Sequence, residues 1–307
     1  MQVDALRENV TGLSRFGSRG SAGTGFAGRA NNMKHPPALS QVHAGAAVLP
    51  GQGYVSIKDV RKSYESERGA IEALANISLD VPEGQFVSIV GASGCGKSTL
   101  LKCIAGIEKV TAGVITVDGQ PVTAPPATMG MVFQRDLLLD WRTVIDNILL
   151  TIEFQGGRRR DFVAKAHALL ELYGLRGYAD RHPWELSGGM RQRVAICRAL
   201  IDDPRFLLMD EPFGALDALT RDDLNVELQA LWGRGSKTII FITHSISEAV
   251  FLSDRVIVMD KNPGRIVEDV AIDLPRPRPL DIRDTSEFGR YSGSIRRTIV
   301  GLGAPKG

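Results

Sequence analysis

Cysteine and long apolar runs are both scarce in this 307-residue sequence. Its three cysteines form no Cys-x-x-Cys pair, and an odd number of them is more typical of a reducing compartment than of a disulfide framework. No stretch approaches the roughly 18 to 20 apolar residues that span a bilayer. We therefore expect any function at a membrane to be carried out from outside the lipid.

An excess of either charge is also missing. Lysine and arginine total 37 against 35 acidic residues, which gives a net charge of +2. Binding to nucleic acid is usually accompanied by a basic excess, so we expect no nucleic-acid partner. A hydrophobic content of 43% is enough for a substantial core, in one large domain or in two smaller ones.

The first 53 residues lack a sustained apolar period and are rich in Gly, Ala, Ser and Arg. This composition predicts a disordered N-terminal extension over residues 1–53. It contains no continuous apolar run of the roughly 7 to 15 residues that a secretory signal needs, although its Arg and Ser content resembles that of a transit peptide. A start at Met33 is an equally good interpretation.

From Tyr54 onward, short β-branched runs alternate with helical patterns, which predicts an α/β domain over residues 54–273. Apolar and polar residues alternate over 55–60, which predicts a half-exposed antiparallel strand. Other runs are mostly apolar throughout, as in a parallel core sheet with helices on both faces. These runs are residues 86–90, 206–209 and 238–243.

Two further regions depart from this alternation. Apolar residues recur at three- and four-residue steps between about 141 and 190, which predicts a helical insert. Beyond a predicted strand at 255–259, prolines at alternate positions of 274–280 exclude a central strand or helix and predict an extended surface segment. We assign residues 274–307 to a Pro/Arg-rich C-terminal extension.

A phosphate-binding loop is predicted between the strand at 86–90 and the apolar stretch at 100–104. The segment 91–99 matches G-x-x-x-x-G-K-[ST] in the strand-to-helix context that this motif needs, although a glycine-rich turn that binds nothing is the alternative. Backbone N–H groups and the helix N-terminus would hold the phosphates of ATP. Lys97 would reach the β and γ phosphates, and the Ser98 hydroxyl would serve Mg²⁺. The nucleotide-binding residues are Gly91, Ala92, Ser93, Gly94, Cys95, Gly96, Lys97, Ser98 and Thr99.

Cys95 lies inside this loop, near Lys97 and a predicted helix N-terminus. Both neighbours favour a thiolate, so we expect a lowered thiol pKa and a thiol whose alkylation blocks ATP binding.

Two adjacent carboxylates end the apolar run at 206–209. The carboxyl edge of a parallel sheet is where ligands usually bind, and adjacent side chains on an extended backbone point apart. We therefore assign Asp210 to hydrated Mg²⁺ and Glu211 to the attacking water. An ordinary strand-end charge pair is the alternative. His244 ends another apolar run and is a candidate for the γ-phosphate, or a solvated strand-end histidine.

The segment Leu186-Ser-Gly-Gly-Met-Arg-Gln-Arg193 opens a predicted helix, and Ser187 is suited to cap it. It lies between the phosphate loop and the carboxylates, in the order and spacing of the ABC ATPase signature. Over about 54–270 the sequence resembles the ABC transporter nucleotide-binding family. Met190 departs from the glutamine common in that signature. The resemblance implies a P-loop NTPase ABC cassette, with a mixed, mainly parallel core sheet, an antiparallel β subdomain and a helical insert.

The resemblance also implies roles for single residues. Gln134 looks like the glutamine that touches Mg²⁺ and water and senses the membrane subunit, and Tyr64 looks like the aromatic residue that stacks on adenine. Residues 214–217 resemble the D-loop. The implied catalytic residues are Glu211, His244, Gln134 and Lys97, and the implied Mg²⁺ ligands are Ser98, Gln134 and Asp210.

In the family, two cassettes pair head to tail, so each ATP lies between the phosphate loop of one chain and the signature of the other. Ser187, Gly188 and Gly189 are thereby implied to bind a nucleotide held by a second copy or a paired ATPase subunit. Closure requires ATP and hydrolysis permits reopening, which is coupled to transmembrane permease subunits. A solute-binding protein is an indirect partner, and the cytoplasmic face of the membrane is the expected location.

Other ABC proteins fit less well. About 50 residues separate Gln134 from Ser187, too few for the coiled coil of chromosome and DNA-repair ATPases. Residues 133–147, together with 262–267 and 273–278, look like the ATPases of nitrate, sulfonate and taurine importers. Other importer groups, and an ATP-sensing cassette without turnover, stay open. The solute does not contact this subunit in such systems, so bicarbonate, thiamine-precursor pyrimidines and aromatic carboxylates also stay open.

Overall fold

The computed structural model describes residues 54–303, except 68, 215, 234 and 236. The predicted extension over residues 1–53 lies outside the described residues. The strands are β1 Val55–Ser66, β2 Gly69–Val81, β3 Phe86–Gly91, β4 Ala112–Val117, β5 Gln120–Pro121, β6 Met129–Val132, β7 Phe206–Asp210, β8 Thr238–Ile242, β9 Arg255–Asp260 and β10 Arg265–Ala271. The α-helices are α1 Lys97–Ile104, α2 Val144–Ile148, α3 Leu150–Phe154, α4 Arg159–Leu172, α5 Gly188–Leu200, α6 Ala218–Gly233, α7 Ile246–Leu252 and α8 Ser286–Gly303, with 3₁₀ turns at Pro183–Glu185 and Leu280–Asp284.

Six strands form the core sheet, in the order β10-β9-β3-β8-β7-β6. All neighbours pair in parallel except β10 and β9, so the sheet is mixed, as predicted. Every residue of β7 and β8 is buried, which explains why their sequences are mostly apolar, with Asp210 and Thr238 as the exceptions. The edge strand β10 instead alternates between exposed and half-buried residues.

The two faces of the core sheet belong to different hydrophobic clusters, because successive side chains of a strand point to opposite faces. On β8, Ile239 and Phe241 pack with the helical side of the molecule, which includes α5, α6 and α7. Ile240 and Ile242 pack with α1 and the second sheet. The fold therefore has a helical layer on one side of the core sheet, and a helix with a second sheet on the other.

The second sheet is antiparallel, in the order β2-β1-β4-β5, and confirms the predicted β subdomain. Its strands β1 and β2 have 12 and 13 residues, so they are longer than the sequence pattern at 55–60 indicated. A parallel bridge between Leu74 and Gly264 joins this sheet to the turn between β9 and β10. This bridge lies beside the predicted phosphate loop.

The predicted helical insert is confirmed: residues 141–190 contain α2, α3 and α4 and the start of α5. Thr143 caps α2, since its hydroxyl accepts a hydrogen bond from the Asp146 amide. Asn147 is fully buried and bonds four backbone groups, among them the amide and carbonyl of Leu139. These bonds fix the segment that leads from β6 into the insert.

Residues 274–279 form neither strand nor helix, as predicted, but the expected surface position is wrong at two of them. Leu274 and Arg278 are buried, whereas Pro275 and Pro277 are exposed. The 3₁₀ turn at Leu280–Asp284 then leads into α8, a helix that the sequence pattern did not indicate. Phe288 and Ile295 of α8 belong to the main core cluster, so this segment packs on the cassette. None of the described helices is long and apolar enough to cross a membrane.

Candidate active site

The loop between β3 and α1 is shaped by close packing against neighbouring backbone. Gly94 and Gly96 adopt left-handed conformations, with φ of 78° and 91°. A Cβ atom on Gly91 would lie 2.4 Å from the Met259 carbonyl oxygen, and one on Gly96 would lie 2.7 Å from the Leu74 side chain. The loop therefore requires glycine at these positions. It leads directly into the N-terminus of α1, which favours an anion.

Lys97 is the first residue of α1, and its side chain folds back over the loop. Its ammonium donates hydrogen bonds to the carbonyl oxygens of Gly91 and Ala92, at 3.0 and 3.3 Å, and the residue is 7% exposed. Both acceptors are neutral carbonyl groups, so the ammonium keeps its positive charge. This buried charge lies next to the backbone N–H groups at the N-terminus of α1. This donor set fits the phosphates of a nucleotide.

The start of α1 and the end of β7 meet through one hydrogen bond. The Ser98 hydroxyl donates to Asp210 Oδ1 at 3.0 Å. Burial raises the pKa of the Asp210 carboxyl, and the bond from Ser98 opposes this effect. A hydroxyl and a carboxylate are oxygen ligands of the kind that Mg²⁺ takes, so these residues fit that ion.

The Glu211 carboxylate contacts two side chains that are far from it in the sequence. Its Oε2 accepts a hydrogen bond from Gln134 Nε2 at 3.3 Å and lies 3.3 Å from His244 Nδ1. Its backbone is in the left-handed region, with φ of 43°, and its amide donates to the Ile242 carbonyl on β8. A non-glycine residue rarely adopts this conformation, and such strain is concentrated at functional sites.

The two adjacent carboxylates have different partners, as expected for neighbouring side chains at a strand end. Asp210 bonds Ser98, whereas Glu211 contacts Gln134 and His244. The structure thus brings the predicted residues together at the carboxyl edge of the sheet. The assigned roles, for Mg²⁺ and for the attacking water, stay predictions.

The predicted signature segment begins α5. The Ser187 hydroxyl accepts a hydrogen bond from the Met190 amide at 3.3 Å, and Ser187 and Gly188 are exposed. A Cβ atom on Gly189 would lie 2.8 Å from the methyl group of Thr220, near the start of α6. The helix N-terminus therefore faces solvent in a single chain. Binding to the nucleotide of a second chain stays a prediction.

Tyr64 lies on β1, opposite Ile71 on β2, and is 37% exposed. Two residues earlier, Lys62 pairs with Leu74, the residue that packs against Gly96 of the loop. The Lys62 ammonium lies 4.6 Å from the centre of the Tyr64 ring. The tyrosine is thus on the part of the second sheet that supports the loop, and its stacking on adenine stays a prediction.

The predicted activation of Cys95 is wrong. The residue is 1% exposed, and burial raises the pKa of its thiol more than the neighbouring Lys97 lowers it. The sequence indicates the helix terminus and the lysine, but not the packing of the loop against β2 and the β9–β10 turn.

Gly264 supports the phosphate loop as well, although it is not among the predicted site residues. A Cβ atom there would lie 2.4 Å from the Cys95 carbonyl oxygen and 2.9 Å from that of Ala73. Its backbone N–H donates to the Ala73 carbonyl, and its carbonyl accepts from the Ala75 amide, both at 3.0 Å. A Pro-Gly pair predicts a turn, but nothing in the sequence indicates that this turn lies against the phosphate loop.

The segment 214–217 begins three residues after Glu211, and Ala215 is not among the described residues. The Gly214 amide donates to the Glu211 carbonyl at 3.1 Å, and a Cβ atom on Gly214 would lie 3.4 Å from Cε1 of His244. The Asp217 carboxylate accepts hydrogen bonds from the amide and hydroxyl of Thr220. The segment therefore lies between the Glu211–His244 contact and α6.

The chain is similar to known proteins over the whole of this site. Residues 74–214 match the family model described as ABC transporter. A taurine import ATP-binding protein of Rhizobium johnstonii is 52% identical over 67% of this chain and 79% of its own length. A nitrate import ATP-binding protein of a Synechocystis species is 42% identical, over 81% of this chain and 96% of its own. A solved dimeric ATP-binding cassette in a post-hydrolysis state, bound to ADP and Pi, superposes with a TM-score of 0.64 at 32% identity and covers 72% of this chain and all of its own.

Proposed function

The chain belongs to the ABC transporter family of ATP-binding subunits, and we propose that it hydrolyses ATP to drive the import of a small anion through separate membrane subunits. The solute class is inferred from relatives named as import ATP-binding proteins, one for nitrate and one for taurine, which is a sulfonate. The ATPase of another importer group remains a second candidate, because the solute is not expected to touch this subunit.

One observation carries the proposal: a single carboxylate oxygen of Glu211 is contacted by both Gln134 and His244. Beside it, Asp210 bonds the Ser98 hydroxyl at the start of α1. This geometry supports Glu211 as the general base for water, because it lies next to a loop suited to phosphates and is held by two side chains from other elements.

We propose that the loop 91–99, with Lys97, binds the triphosphate of ATP. Ser98, Gln134 and Asp210 would hold Mg²⁺, which neutralises charge on the phosphate oxygens when it is bound. Glu211 would accept the proton of the attacking water, and His244 would hold the carboxylate and contact the γ-phosphate.

The site is incomplete in one copy of the chain. Ser187 and Gly188 at the tip of α5 are exposed, and similarity to a dimeric cassette supports a second copy or a paired ATPase subunit that supplies the Ser187–Gly189 tip. The permease subunits, an indirect solute-binding protein and a peripheral position on the cytoplasmic face of the membrane are further parts of the proposal. The domain boundaries after residues 53 and 273 are also retained as proposals.

Glu211→Gln tests the function directly. Glutamine keeps the size and the contact with Gln134 but cannot accept the proton, so steady-state phosphate release should fall at least about 100-fold while ATP binding persists. Glu83→Gln is the matched control. Glu83 lies in the turn before β3 and pairs with Arg205, at the amino ends of the strands and away from the candidate site. It should keep normal turnover.

Near-normal hydrolysis by Glu211→Gln would contradict the proposal. Negligible hydrolysis by the unmutated chain, even with its membrane partners, would instead support an ATP-sensing cassette without turnover. Phosphate release therefore separates the enzyme from the binding module.

A further inference from the structure

An ion pair between a buried carboxylate and a half-buried arginine lies behind the candidate active site. Glu248, on the first turn of α7, is 4% exposed, and its Oε2 accepts a hydrogen bond from the Thr243 hydroxyl. Its Oε1 lies 3.4 Å from Nε of Arg221 on α6. A carboxylate buried this deeply destabilises a fold unless it is paired and hydrogen-bonded, and both of its oxygens have partners.

One side of this pair fixes the backbone around His244. The Thr243 hydroxyl that bonds Glu248 also accepts a hydrogen bond from the Ser245 amide, at 3.0 Å. The Glu248 amide in turn donates to the Ser245 hydroxyl at 3.3 Å. Thr243 and Ser245, the residues on both sides of His244, are therefore both hydrogen-bonded to Glu248.

The other side of the pair holds Leu216 and Asp217. Nη2 of Arg221 donates to the Leu216 carbonyl at 2.8 Å, and the Arg221 amide donates to the Asp217 carbonyl at 3.0 Å. Gly214 lies close enough to the imidazole that a Cβ atom built on it would be 3.4 Å from Cε1 of His244. The ion pair therefore links the backbone after Gly214 to the backbone around His244.

We propose that Arg221 and Glu248 are a positioning pair that holds the His244 imidazole and the backbone at Leu216 and Asp217 in a fixed relation beside Glu211. This inference rests on the proposed function, because it assumes that Glu211 acts on water. The pair acts on Glu211 through His244 and Gly214. Loss of either partner should therefore lower turnover more than nucleotide affinity.

A double-mutant cycle in the full-length chain tests this proposal. We expect Glu248→Gln and Arg221→Met each to lower kcat about 10-fold with the KM for ATP within about twofold, because the phosphate loop is untouched. The double variant should also lose only about 10-fold, since each single change already breaks the same link. Arg221→Lys should not restore kcat, because an ammonium cannot reproduce the fork that spans Glu248 and the Leu216 carbonyl.

Glu153→Gln is the control for a purely structural effect. Glu153 is half-buried and pairs with Arg142 at 2.6 Å in the helical insert. Its loss should lower thermal stability and leave kcat unchanged in the isolated chain. Where Glu248→Gln does not fold, Thr243→Val breaks the same link without a change of charge and takes its place in the cycle.

Three results would overturn the proposal: single variants with kcat within about twofold of the parent chain, losses that multiply to about 100-fold in the double variant, or a rise in KM at constant kcat. The Glu211→Gln chain separates the two levels of the argument. Normal ATP turnover by that chain would contradict both the proposed function and this inference. Loss of turnover in the Glu211→Gln chain, together with normal kcat in the Arg221 and Glu248 variants, would contradict this inference alone.

Discussion

Replacement of Arg278 by methionine should destabilise the whole cassette. Arg278 is 2% exposed, and its guanidinium donates to carbonyl oxygens at the end of α7 and in the segment that follows β10. The acceptors are Val250 at 2.7 Å, Phe251 at 3.0 Å, Ser253 at 2.8 Å, Ile272 at 3.4 Å and Leu274 at 3.3 Å. Cations are favourable at helix C-termini, where carbonyls have no partner within the helix.

The size of the effect follows from what methionine leaves behind. Three short bonds are lost, and each buried carbonyl without a partner costs about 1–3 kcal/mol. Part of this loss is offset, because a buried charge is removed at the same time. Burial, with the neighbouring Arg276, lowers the pKa of Arg278 to about 9, which shows that the charge is disfavoured there. A net loss of about 3 kcal/mol corresponds to a Tm lower by about 6–12 °C in a chain of this size.

Differential scanning calorimetry of the full-length chain measures this change. Arg290→Met is the matched control, because Arg290 of α8 is largely exposed and pairs only loosely with Glu287, at 3.5 Å. Its Tm should stay within about 2 °C of the parent chain, since exposed pairs contribute about 0–1 kcal/mol. An equal Tm for the two variants would refute the role assigned to the Arg278 bonds.

Two further predictions concern the support of the phosphate loop. Gly264→Ala should raise the KM for ATP about 10-fold, because its Cβ would push the Cys95 carbonyl out of place, whereas Gly289→Ala has open space and should leave the KM unchanged. Steady-state ATPase kinetics measure both, and an unchanged KM in the Gly264 variant would show that the loop tolerates the displacement. Cys95 should react with iodoacetamide more slowly at pH 7 in the folded chain than in urea, since burial raises its thiol pKa and hides the sulfur. Mass spectrometry measures the labelling. A faster reaction in the folded chain would support the lowered Cys95 thiol pKa that the sequence predicts.

Local signals in the sequence were sufficient for much of the fold. The strand at 86–90 and the helix from Lys97 were predicted because a strand, a glycine loop and a helix follow one another within 20 residues. The strands ending at Asp210 and Ile242 were predicted because burial on both faces favours runs of mostly apolar residues. Their shared sheet edge explains why Glu211 and His244 meet.

The remaining features depend on contacts between distant residues. Arg278 was placed at the surface because alternate prolines exclude a strand, yet its bonds to α7 cross more than 20 residues. No sequence motif indicates the Arg221–Glu248 pair, since the two residues are 27 positions apart on two helices. The pKa of Cys95 depends on burial by β2 and the β9–β10 turn, which composition and spacing do not indicate.

The most direct test of the central claim is a crystal structure of the Glu211→Gln chain grown with ATP and Mg²⁺. The account predicts a triphosphate on residues 91–99 of one copy, with the Ser187 hydroxyl of a second copy within hydrogen-bond distance of its γ-phosphate. A nucleotide bound elsewhere, or a Ser187 tip that faces no second copy, would contradict it.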